Sequence, residues 1–81
     1  MFYYTYVLRS LKDKNFYVGW TSDLKSRVRE HNSGEVKATK NRTPFKLVYY
    51  EACLDKDGAI KREKQLKSGF GRAYLKRRLG V

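Results

Sequence analysis

The 81-residue chain has one cysteine, one histidine and only eight acidic residues. A lone cysteine cannot close an internal disulfide, so the fold is held without a staple. Cys53 points to a reducing compartment or to an intermolecular bridge; its ordinary role would be a small buried hydrophobe at a strand end. No Cys/His cluster for zinc, no P-loop and no Ser/His/Asp set is present. No stretch approaches the ~18 apolar residues of a membrane span. The opening "MFYYTYVLRS" has neither a basic leader nor a long apolar run. It does not read as a signal peptide, and a cytoplasmic protein without a membrane partner is the default expectation.

Against these scarcities stand nineteen basic residues, giving a net charge of +11, and twelve aromatic rings from seven Tyr, four Phe and one Trp. The length fits one domain, spanning 1–81, and a chain this short buries only about 60–65% of its unfolded surface. Aromatic side chains supply large apolar area from few residues. The charge is clustered. Residues 1–36 are net +2, 37–46 carry four cations and no acid, 47–60 are net −2, and 61–81 are net +7. Such clustering fits a polyanionic partner, whose counterions are released when phosphates are neutralised. A merely soluble basic protein is the plain alternative.

The chain shows no repeat, low-complexity tract or linker. "FYYTYVLRS" and "NFYVGW" are rich in β-formers and flank a polar turn, which predicts a β-hairpin. "TSDLKSRVREHNSG" opens on capping residues and closes on Asn32, Ser33 and Gly34, which predicts a helix of about three turns. "EVKATKNRTP" is a polar, basic loop, and "FKLVYYEA" a third strand. A second helix covers roughly "GAIKREKQLKS", with Ser68 and Gly69 stopping or kinking it. "GRAYLKRRLG" makes a short basic third helix over about 70–79. The order β-β-α-β-α-α predicts an α+β fold with a small sheet.

Three placements stand out. At 100° per residue Leu24, Val28 and His31 share a narrow arc of the first helix, with Arg27 at its edge. In the second helix Ala59, Ile60, Leu66 and Phe70 form an apolar stripe, and Glu63 sits in its middle. A carboxylate there needs a partner, because burying it alone costs several kcal/mol. If the hairpin turn centres on Lys12–Asp13, Val7 pairs with Val18 and Tyr6 faces Gly19. Tyr6, Leu8, Tyr17 and Gly19 then share one face, and the glycine leaves a gap beside Tyr6. Each placement has a plainer reading. Glu63 would pair with Lys67 at i+4. Arg27 would lie along apolar surface. His31 would complement a helix dipole. The tyrosines would simply be strand-formers.

Together Tyr, Tyr, Arg and Glu suffice for one-metal phosphodiester hydrolysis. Arg binds two phosphate oxygens through its planar fork. Glu holds Mg²⁺ directly or through water. A phenol beside a cation can deprotonate or orient water.

"TYV", then "YVG", "TSDLKSRVREHNSG", "LVYYEA" and "AIKREKQLK" resemble the GIY-YIG nuclease superfamily, above all its small standalone bacterial members. Relatives of that group include the nuclease domain of the excision-repair protein UvrC and intron-encoded homing endonucleases. The resemblance spans about Phe2 to Lys67. It implies a three-stranded antiparallel sheet flanked by helices and a divalent-metal nuclease using one Mg²⁺ or Mn²⁺. By the same resemblance the first motif's tyrosine is Tyr6, and the second motif's tyrosine and glycine are Tyr17 and Gly19. The phosphate-binding arginine is Arg27, the histidine of some members is His31, and the metal-binding glutamate is Glu63. Two positions depart from the pattern. The first motif's initial glycine is Tyr4, and the asparagine that many members carry after the glutamate helix is missing from "SGFGRAYLKRR". Arg72 or another C-terminal cation would then take over that substrate contact.

The resulting expectation is an endonuclease acting on DNA, in repair or recombination. Tyr6, Tyr17, Arg27, His31 and Glu63 would be catalytic. Lys37, Lys40, Arg42, Arg72, Lys76, Arg77 and Arg78 would hold the nucleic-acid backbone. A non-catalytic nucleic-acid binder on the same scaffold, its tyrosines stacking on bases, is the alternative. A helper subunit docking its basic face on a protein partner is a third possibility.

Overall fold

The computed structural model describes residues 1–80. Strands β1 (Tyr3–Ser10) and β2 (Phe16–Thr21) are followed by α1 (Leu24–Asn32), β3 (Phe45–Cys53), α2 (Lys56–Lys67) and α3 (Gly69–Leu79). The strands form an antiparallel sheet in the order β2-β1-β3. The fold is the α+β arrangement expected from the sequence, with the elements in the expected order.

The central strand is buried on both faces, as a strand covered by helices must be. Thr5, Tyr6, Val7 and Leu8 are all inaccessible to solvent or nearly so. Their side chains alternate between two cores. Val7 packs with Val18, Leu66 and Leu75 beneath α2 and α3. Tyr6 and Leu8 pack with Phe45, Leu24 and Val28 on the α1 side. The hairpin register pairs Val7 with Val18 and Tyr6 with Gly19, as the Lys12–Asp13 turn requires. Between β1 and β3 the register slips after Val7, where Val7 faces Tyr49 but Leu8 faces Leu47. The extra residue, Val48, makes a bulge, so that Val48 and Tyr49 both reach the α2–α3 core.

Each helix starts at a side-chain cap. Asp23 accepts from Ser26 N at the start of α1, Asp55 from Asp57 N at the start of α2, and Ser68 from Gly71 N at the start of α3. The second helix therefore opens at Lys56, within the "DKDG" segment that leads into "GAIKREKQLKS". Phe70 departs from expectation. Ser68 is extended and ends α2, so Phe70 falls in the first turn of α3 and is 72% exposed instead of continuing the apolar stripe. Gly71 takes that place. A Cβ there would stand 2.3 Å from Gln65 O and 2.4 Å from Leu66 Cα, so only glycine lets the two helices approach so closely.

α2 is held at two points. Thr5 Oγ1 donates to Ala59 O at 2.8 Å. Arg62 donates to Glu51 at 2.9 Å, lies over the Tyr74 ring, and leaves Glu51 also accepting from Tyr49. Cys53 ends β3 half-buried as a free thiol that donates to Asp55 O. Among the described residues, no helix is long and apolar enough to cross a membrane.

Candidate active site

The geometry centres on Tyr6. Its side chain is 1% exposed and lies across Gly19 of β2; a Cβ on Gly19 would stand 2.5 Å from the phenolic oxygen. The strand thus gives up a side chain where the phenol must cross it. Tyr6 Oη lies 2.8 Å from His31 Nε2. The His31 ring is also edge-on or tilted to Tyr6, Tyr17 and Phe45, with centroids 5.7, 5.0 and 6.1 Å away.

His31 is fully buried, which goes beyond a helix-dipole role. Burial, followed by the nearby Arg27 charge, pushes its imidazolium down to about 4, so the ring is neutral at neutral pH. Its other nitrogen, Nδ1, lies 2.8 Å from Thr39 Oγ1. Thr39 is wholly buried although it belongs to the loop between α1 and β3. Its hydroxyl has the Val36 carbonyl as an acceptor at 3.4 Å. Its lone pair is then left for His31 Nδ1–H, and the Nε2 lone pair is left to accept from Tyr6. Sequence reasoning missed Thr39. Nothing in "KATKN" marks it, and only the consecutive turns that bond Thr39 N to Val36 O and Arg42 N to Thr39 O swing it inward.

Burial raises the Tyr6 phenol above the usual tyrosine range. The Arg27 guanidinium beside it opposes the shift, while Tyr17 and Glu63 reinforce it. Arg27, Tyr17 and Glu63 are therefore all within electrostatic reach of one hydroxyl, although they come from α1, β2 and α2. Arg27 is held by Glu30, at 2.9 Å, one turn along α1. That contact and the Tyr6 oxygen strengthen its positive charge. Its side chain is 36% exposed.

Glu63 is 16% exposed, and Lys67 Nζ stands 3.4 Å from its Oε2. That separation exceeds the ~2.8 Å of a tight charge-assisted bond, and Lys67 is itself half exposed. Among the described residues no three His, Cys, Asp or Glu side chains gather as a metal cage. A single recessed carboxylate does not suit zinc, which takes three or four protein ligands. It suits Mg²⁺ or Mn²⁺ completed by water and substrate phosphate.

The expected backbone-binding cations fall into separate groups. Arg72 and Lys76 line a groove beside β2, together with Arg9, Lys14 and Lys67. Arg77 and Arg78 border a different hollow, next to Tyr74. Lys37 and Lys40 are exposed on the α1–β3 loop. Arg42 is engaged within the fold. It donates to Asp13 at 2.7 Å and lies over the Phe45 ring, fastening the loop to the hairpin turn. Arg42 draws the Asp13 carboxyl down to about 2.

The antiparallel β2-β1-β3 sheet with its three helices is the fold expected of a GIY-YIG domain. Residues 2–78 match the GIY-YIG catalytic domain, and the chain belongs to that family. A UPF0213 protein of Syntrophus aciditrophicus is 46% identical over 66 residues, covering 79% of this chain and 75% of the relative. A UPF0213 protein of Staphylococcus haemolyticus is 37% identical over 75 residues, covering 91% and 90%. The solution structure of the UPF0213 protein BH0048 from Bacillus halodurans superposes with a TM-score of 0.56 at 36% identity, covering 93% of this chain and 82% of that one. The chain is thus similar throughout to small proteins of the UPF0213 group, whose names state no activity.

Proposed function

We propose that this protein is a divalent-metal-dependent endonuclease that hydrolyses phosphodiester bonds in DNA. What supports this reading is the Tyr6 phenol laid across Gly19 and hydrogen-bonded to His31, with Tyr17 packed on the same imidazole and Arg27 and Glu63 within electrostatic reach. A structural tyrosine would need one buried partner, which His31 supplies; the Arg27 charge beside the same hydroxyl goes beyond that need.

In this reading Tyr6 positions the attacking water, its phenol held in place by His31 Nε2. Neutral His31 accepts the hydrogen bond from the phenol without taking its proton, and Thr39 keeps the accepting nitrogen turned toward Tyr6. Arg27 holds the phosphoryl oxygens with its planar fork. Tyr17 orients the phosphate or the nucleophile. Glu63 holds Mg²⁺ or Mn²⁺, which when bound stabilises charge on the phosphoryl and leaving oxygens. Lys67 must swing away from Glu63 for this. Lys67 is half exposed and 3.4 Å away, so its ammonium can move into solvent.

The Glu63–Lys67 contact is also the one observation that favours the second reading, a nucleic-acid binder that does not cut. One experiment separates the two. Plasmid, branched DNA and single-stranded DNA are incubated with and without Mn²⁺, beside Glu63→Ala. Cleavage that requires Mn²⁺ and is abolished in Glu63→Ala, with DNA binding retained, supports the nuclease. Binding without cleavage of any substrate leaves the binder.

A further inference from the structure

The groove beside β2 has a construction that the hydrolytic centre does not explain. β2 is an edge strand, and between it and the α2–α3 pair lies a groove of about 610 Å³. Its rim carries Arg9, Lys14, Lys67, Arg72 and Lys76, and no acidic side chain among the described residues lines it. Its floor is the half-buried Phe16, which packs on the buried Leu66 and Leu75 behind it. It adjoins the candidate active site, because Tyr17 and Lys67 border both: Tyr17 packs on His31 and Lys67 pairs with Glu63.

Lys14 is the telling residue. It is the one non-glycine residue with a left-handed backbone among those described, at φ 65°. Glycine or asparagine occupies such a turn position with less strain. The carbonyl of this strained lysine accepts from Arg9 Nε at 3.2 Å, so Arg9 and Lys14 are set side by side on the rim. Arg72 and Lys76 face them from α3, one helical turn apart. A lysine kept where glycine would fit more easily fits a position selected for its charge and not for its backbone.

We propose that this groove receives an unpaired nucleic-acid strand flanking the bond to be cut, with phosphates on the cationic rim and a sugar or base on the Phe16 floor. Single strands are bound by this combination of a basic track and an apolar or aromatic platform. A duplex would meet only the rim, since its bases are turned inward. The proposal rests on the nuclease reading for the word flanking, but not for the binding itself. It also divides the C-terminal cations: Arg72 and Lys76 contact the strand, whereas Arg77 and Arg78, beside Tyr74, do not.

The test is fluorescence anisotropy in EDTA, which removes cleavage from the measurement. The probes are a labelled single-stranded oligonucleotide and its duplex. A Lys14→Gly/Arg72→Ala/Lys76→Ala variant is compared with wild type and with Arg77→Ala/Arg78→Ala, which removes charge elsewhere on α3. The groove variant should lower the log–log salt slope for the single strand by about 2, at about 0.7 for each lost phosphate contact. The Arg77/Arg78 variant should leave the slope within about 0.5 of wild type on the same scale. Lys14→Gly alone should weaken single-strand binding while its Tm stays level or rises, which separates lost charge from lost fold. Equal slope changes in both multiple variants would overturn the proposal. So would tighter wild-type binding of the duplex than of the single strand. Failure to cleave with Mn²⁺, if the groove variant still loses single-strand affinity, would count against the nuclease reading and leave the groove standing.

Discussion

Acidification from about pH 8 to about pH 5 is expected to cost this protein about 2 kcal/mol of stability through His31. The ordinary imidazole value is 6.5, and burial with Arg27 nearby brings His31 down to about 4 in the folded state. Between those values the unfolded chain binds a proton that the folded chain refuses. The contribution is therefore complete above 6.5, shrinks as the pH falls, and levels off below 4 at a loss of about 3 kcal/mol. His31 is the chain's one histidine, so no other imidazole confuses this window. At pH 5 most of the unfolded chains are protonated at His31 and few of the folded ones are, which gives the figure of about 2 kcal/mol. In an 81-residue chain this corresponds to a fall in Tm of roughly 8–16 °C. Urea titrations and thermal melts at pH 8, 6.5 and 5 read it directly, with His31→Gln as the reference. The variant should be less stable at pH 8 but nearly flat down to pH 5. A flat wild-type profile, or an equal slope in His31→Gln, would refute the buried neutral imidazole.

Two further outcomes follow from the packing around Tyr6. Gly19→Ala places a methyl 2.5 Å from Tyr6 Oη, and the phenol cannot yield easily because His31 holds it. Stability should fall by about 1–3 kcal/mol, and Mn²⁺-dependent cleavage at least about tenfold with DNA binding kept; unchanged cleavage would mean that the position of Tyr6 is unimportant. Thr39→Val keeps the volume but strips His31 Nδ1 of its partner. Denaturant titration should show a loss of about 1–3 kcal/mol, with Thr39→Ser close to wild type. A neutral Thr39→Val would sever that link.

What was legible in the sequence was largely what local geometry dictates. A hairpin turn assumed to centre on Lys12–Asp13 put Tyr6 across from Gly19, and the strands do pair in that register, with the phenol passing over the glycine. The helical arc of Leu24, Val28 and His31 was visible because it needs only a 3.6-residue period, and all three do face the α1-side core or the buried site. Contacts set by the tertiary fold were less legible. Thr39 looks like any loop threonine until two turns carry it under His31. Arg42 announced a charge but not its ion-pair partner, Asp13, which lies 29 residues away in sequence. Phe70 read as a continuation of the α2 stripe on period alone, although Ser68 and Gly69 signalled the stop that does end α2 there and put Phe70 in the next helix. Arg9 and Lys14 were passed over because they lie outside the cationic runs of 37–46 and 61–81, and only the fold sets them across from Arg72 and Lys76.

The most direct measurement is single-turnover DNA cleavage by wild type and Tyr6→Phe in Mn²⁺, with both proteins saturating the substrate. The substitution removes one oxygen atom and leaves the ring, its packing and the DNA-binding cations in place. If Tyr6 is the centre on which the other groups act, cleavage should fall by about 10²–10⁴-fold with affinity unchanged. A Tyr6→Phe protein that cleaves as fast as wild type would contradict it.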